Sequence, residues 1–128
     1  MPRKVFTAGE VLAAADVNTY LSNEVTLTSS TASLTVAAAD RYKTLVINSA
    51  GSVTVTFGTA TAFEAGERVD IIREGAGTVT ITRDGTAVTL NGAGTAGTAY
   101  RMNQQYGAVS VVCLASNSYR VIGNIAAV

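Results

Sequence analysis

Residues 51–90 read GSVTVTFGTATAFEAGERVDIIREGAGTVTITRDGTAVTL, and the periodicity of this stretch decides the fold. Val53, Val55 and Phe57 fall on one side of an extended segment and Thr54 and Thr56 on the other, because side chains two apart share a face of a strand. Val79 and Ile81 alternate with Thr80 and Thr82 in the same way, and Val88 and Leu90 continue the pattern. Threonine suits the outward row, since its branched β-carbon favours extended backbone. The reading is a half-buried antiparallel sheet of short strands joined by glycine turns. Glu74-Gly75-Ala76-Gly77 and Asp84-Gly85 are the tight turns, where glycine permits positive φ. SVTVT, TVTIT and AVTLN echo one another at uneven offsets, which reads as repeated hairpin chemistry rather than a solenoid.

Within the same stretch, residues 68–73 form a strand with Val69 and Ile71 on one side and Ile72 on the other. An apolar residue on the second face points to burial against something further. Phe63, in the loop before it, is placed to plug one end of the core. Upstream, residues 44–48 (TLVIN) are a firm strand, residues 33–36 a weaker one, and residues 26–28 an edge strand. Downstream, residues 90–98 (LNGAGTAGT) are glycine-rich and read as an irregular flexible or interface loop. Strands return at residues 100–102, 108–114 and 119–122, and the apolar tail after Gly123 is expected to pack down. Strands this short, at this spacing, predict an all-β fold: an antiparallel β-sandwich, or a jelly-roll-like small barrel.

The first 25 residues differ in character and form an arm ahead of a β domain over residues 26–128. Thr7 and Glu10 have capping-box spacing. Residues 14–23 predict a short helix whose Val17, Tyr20 and Leu21 make one apolar stripe, with Leu12 or Ala13 before them. A helix so short is marginal alone, so the stripe must dock on its own sheet or on another chain. Leu12, Val17, Tyr20 and Leu21 are the candidate attachment or intersubunit anchors, and Ile72, Tyr100 and Tyr106 the candidate interface or exposed patch.

The chain has 128 residues, nine basic and nine acidic, and its formal net charge is zero. No long-range field would draw it to nucleic acid or an anionic membrane, and no nucleic-acid or membrane partner is expected. Charged residues make up 14%, against roughly 25% in ordinary soluble domains. A weakly charged surface resists self-association poorly, so an oligomer or assembly component is expected. No stretch has the roughly 18 apolar residues of a membrane helix.

Little in the sequence points to chemistry. There is no histidine, which removes the usual general base, the Ser-His-Asp relay and the commonest metal ligand. Glu64 and Glu67 flank a loop, and Asp70 and Glu74 bracket a strand; both pairs read as a solvated rim rather than a catalytic pair. Asp84 is followed by no series of oxygen ligands for calcium. The glycine-rich run does not match a phosphate-cradling loop. Cys113, the single cysteine, sits in an apolar run and reads as a buried, inert thiol. No catalytic residue, cofactor or metal is expected.

Two stretches resemble a known family. FTAGEVLAAADVNTYLSNEV, residues 6–25, resembles the N-terminal segment of many tailed-bacteriophage virion proteins. ADRYKTLVINSAGSVTVTFG, GERVDIIREGAGTVTITRDG and the closing Tyr119-Arg120-Val121-Ile122-Gly123-Asn124 look like the small β domain of phage fibre and head-surface proteins. The resemblance implies a non-enzymatic virion protein, commonly a homotrimer, held at one end to the major capsid protein or other virion proteins. The chain has no fibre shaft and no coiled-coil heptads. That favours a capsid-surface decoration (cement) or head-spike protein that stabilises the particle. The alternative is a tail-fibre or tail-associated protein that binds a host-surface glycan.

Overall fold

Alternating branched and small polar residues produce twelve strands in the computed structural model, which describes residues 5–11, 13–15, 25–92 and 95–128. They are β1 (Leu27–Ser30), β2 (Leu34–Thr35), β3 (Thr44–Ile47), β4 (Val53–Phe57), β5 (Arg68–Arg73) and β6 (Val79–Arg83), followed by β7 (Thr89–Gly92), β8 (Thr95–Gly97), β9 (Ala99–Met102), β10 (Ala108–Ala115), β11 (Ser118–Gly123) and β12 (Ile125–Ala127). They make two mixed sheets, ordered β1-β3-β5-β10-β11-β7-β8 and β12-β9-β6-β4-β2. One core joins their inward side chains, among them Leu45, Val55, Phe57, Ile71, Ile81 and Val111, all buried. The strand expected over residues 68–73 forms there, with Val69 and Ile71 buried and Ile72 only half-buried on the opposite face.

The all-β expectation holds, but the antiparallel one does not. The first six strands alternate between the sheets, so that β1, β3 and β5 run parallel in one, and β2, β4 and β6 run parallel in the other. SVTVT and TVTIT are therefore stacked rungs of a coil, not hairpins: Val53 faces Val79, Thr54 faces Thr80, Val55 faces Ile81 and Thr56 faces Thr82. Thr44 faces Asp70 in the other sheet at the same spacing, and an ion pair joins Arg41 to Glu67, also 26 residues apart. A two-residue period is common to both arrangements; what differs is the turn, which here carries the chain across to the opposite sheet. AVTLN, the third echo, is no rung at all, because β7 lies beyond β10 and β11, parallel to β11.

The turns explain two of the glycines. Residues 74–77 lie directly on the turn at residues 49–51, with the Gly75 amide donating to the Ile47 carbonyl (3.1 Å) and the Gly77 amide to the Ser49 carbonyl (2.8 Å). A β-carbon at Gly75 would collide with the Ser49 backbone, and one at Gly77 with that of Gly51. Neither glycine has positive φ, whereas Gly85 does (74°). Close approach of stacked turns, not left-handed backbone, requires Gly75 and Gly77.

β9 to β12 complete both sheets by antiparallel pairing. Residues 90–98, expected to be irregular, instead include an antiparallel β7–β8 pair with Leu90 opposite Gly97. The tail does pack down: β12 pairs with β9, and Ile125 rests half-buried on the core. Phe63 is buried, and Tyr119 stands between it and Phe57, with ring centroids 6.1 and 5.2 Å away. In the arm, the Thr7 amide donates to the Glu10 carboxylate (3.1 Å) and the Glu10 amide to the Thr7 carbonyl (3.0 Å), closing a turn around Gly9. Most of the helix expected over residues 14–23 lies outside the described residues.

Candidate interaction surface

Outward side chains of the seven-stranded sheet line up because its strands are in register. Leu27, Thr44, Asp70, Ser110 and Ile122 face one another across β1, β3, β5, β10 and β11. Ser29, Val46, Ile72 and Ala108 form the adjoining row. Leu27 and Ile122 are 65% and 54% exposed. Between the rows lies an open cleft of about 360 Å³, lined by Thr44, Asp70, Ile72, Ala108, Ser110 and Ile122. The carboxylate on its floor is engaged, since the Ser110 hydroxyl donates to Asp70 and the Arg68 guanidinium lies 4.0 Å away. Such a face can cover a partner's apolar residues with little desolvation of charge.

The five-stranded sheet presents the opposite chemistry. Thr35, Thr56 and Thr82 form one outward row, and Thr54, Thr80 and Arg101 another. The two faces of the molecule thus differ, one partly apolar and one hydroxyl-rich.

Of the residues singled out from sequence, Ile72 belongs to the second row of the partly apolar face. Tyr106 is 71% exposed, in a turn where its amide donates to the Arg73 carbonyl (2.7 Å). Tyr100, expected at an interface or exposed patch, is instead a core residue, 1% exposed. It faces inward from β9 opposite Ile81, so the alternation that buries Ile81 also buries Tyr100. Leu12, Val17, Tyr20 and Leu21 lie outside the described residues. Sequence reasoning missed Val46, which faces Ile72 from β3, and Ile122, which lines the same cleft, because only the register between distant strands brings them together.

The acidic pairs also resolve into structure. Glu64 is exposed, but Glu67, expected on a solvated rim, is buried. Its carboxylate accepts from the Arg41 guanidinium (3.0 Å) and from the Glu64 amide (2.6 Å). Cys113 is buried as expected, with its thiol beside the Phe63 carbonyl (3.2 Å). Burial pushes its pKa up, with the Glu67 carboxylate adding to the rise and a hydrogen bond with the Ala115 backbone opposing it. Burial likewise raises the Tyr119 phenol. Among the described residues, no group of three or more side chains could hold a metal ion, and no helix is long and apolar enough to cross a membrane.

Fold and surface together define an all-β protein of two mixed sheets whose first strands stack as parallel coils. No protein-family model and no curated protein matches the chain.

Proposed function

We propose that this is a non-enzymatic structural protein of a tailed-bacteriophage virion, acting as a capsid-surface decoration or head-spike protein. The observation that carries the reading is the division between arm and core. Among the described residues the buried core draws on Val36 onward, while Val5, Phe6 and Val11 in the arm are 74%, 40% and 85% exposed. Apolar arm residues that the domain leaves exposed, Val5 and Val11 foremost, are suited to docking on the major capsid protein or another virion protein. The sequence resemblance of residues 6–25 agrees with that role. The half-apolar face around Ile72 suits contact between copies in a homotrimer. Binding only the assembled particle would stabilise it by mass action.

The test compares particles with and without the protein, and with a form lacking residues 1–24. Particles without it should disrupt at lower temperature and adsorb normally to host cells. The shortened form should fold but fail to bind particles. Binding as strong as that of the full chain would overturn the role given to the arm. A second reading, a tail protein binding a host glycan, is favoured by Tyr106, since an exposed phenol ring can stack on sugar. Lost adsorption with unchanged particle stability would select it.

A further inference from the structure

Among the described residues the parallel coils begin at an open end. β1 is the edge of the seven-stranded sheet, and β2, in the same first coil, is the edge of the five-stranded one. Among the described residues nothing pairs with the outer side of either. Exposed edges are ordinarily blunted with lysine, proline, a bulge or extreme shortness, and at two residues β2 is blunted in the last way, whereas β1 has four. Here residues 25–39 contain no charge and no proline, and β1 pairs with β3 in unbroken register.

The direction of the backbone groups on β1 is fixed. Thr26 and Ser30 offer their carbonyls to Thr44 and Asn48 of the next coil, both at 2.9 Å. Backbone groups alternate sides along a strand, so those of Thr28 also face β3. Those of Leu27 and Ser29 face outward.

We infer that the outer edge of β1 pairs, antiparallel and about a two-fold axis, with β1 of a second copy of this chain. With Thr28 on the axis, Leu27 of each copy stands opposite Ser29 of the other, and their amides and carbonyls form four hydrogen bonds. Residues facing each other in this register share a face of the joined sheet. An axis perpendicular to the sheets also brings the two β2 edges alongside each other. The identity of the partner follows from the edge itself: an uncharged strand with its donors and acceptors at alternate residues complements its own copy when reversed. Pairing with β8 at the far edge of the sheet would be head-to-tail and would run on unclosed. The inference goes beyond the virion role and uses a contact separate from the face around Ile72.

Two Thr28 residues meeting on the axis form a non-hydrogen-bonded pair with Cα atoms about 4.5 Å apart, within disulfide range. Thr28→Cys should therefore be captured as a covalent dimer under mild oxidation, whereas Thr54→Cys, on the threonine face, should not. Ser29→Pro removes an outward amide while leaving the bonds to β3 in place. It should weaken self-association about tenfold to a hundredfold, measured by sedimentation, without lowering the melting temperature of the dilute protein. Crosslinking of Thr28→Cys, whose side chain lies off the face around Ile72, is the independent readout should proline unfold the strand. A folded Thr28→Cys protein that stays uncrosslinked at micromolar concentration overturns the pairing. So does sedimentation of the edge variant that is indistinguishable from the parent's.

Discussion

At Glu67 a carboxylate lies almost wholly out of solvent, with the Arg41 guanidinium at one oxygen and the Glu64 amide at the other. Removing an ion from water is costly unless its lone pairs are satisfied, and here two donors from different segments meet that need. Glu67→Gln keeps the shape but sets one amide N–H2 among donors. It should lower unfolding free energy by about 1–3 kcal/mol, the lower end favoured because Arg41 is partly exposed. Denaturant titration measures it, and an unchanged midpoint would show that the pair contributes nothing. Sequence alone read this residue as solvated because the run EAGE resembles any polar loop. The 26-residue spacing to Arg41 carries meaning only once the coils are known.

The strands themselves were legible; their partners were not. The alternation around Val53 and Val79 placed two strands and their buried faces, residues 108–114 read as a strand with no face assigned, and Ile72 stood out as apolar on the second side. Parallel stacking escaped because period two describes one strand and says nothing of its neighbour. Tyr100 escaped for a related reason, since its burial follows from pairing opposite Ile81 of β6; the β7–β8 pair is local, Gly92 opposite Thr95, and escaped because its glycine-rich run carries no apolar alternation. The stacked turns now yield a sharper expectation. Gly77→Ala places a methyl group against the Gly51 carbonyl, and since that methyl is fixed to its own Cα and the carbonyl is backbone, neither can swing aside. The turns must separate, at about 1–3 kcal/mol, while Gly51→Ala, whose added carbon meets nothing within 4 Å, should cost less. Thermal melts of the two variants compare these directly. Equal losses would show that stacking does not constrain the turn.

Across the whole molecule, two buried acids make stability depend on alkaline pH. Cys113 and Tyr119 hold their protons more tightly when folded, above ordinary values of 9.0 and 10.0. The folded state thus binds more protons above those values, and stability falls there as pH rises, while below them the contribution is complete. Melting temperature should be level from pH 7 to about 8.5 and decline above about pH 9. Cys113→Ala should remove the earlier part of the decline, whatever its effect on the plateau. An unaltered profile in that variant would rule out the thiol as the source.

Strand order also sets a timetable. Three coils can assemble in the order in which they leave the ribosome, each laid on the one before. β7 cannot join them, because its neighbour toward the centre of its sheet is β11, which is synthesised about thirty residues later. Until then Leu90 lacks the strand beside which it is finally buried, and the β7–β8 segment must wait, unpaired with the growing sheet, for the last part of the chain to be made. β9 and β10 find β6 and β5 already in place when they emerge; only β7 and β8 are held back until β11 arrives.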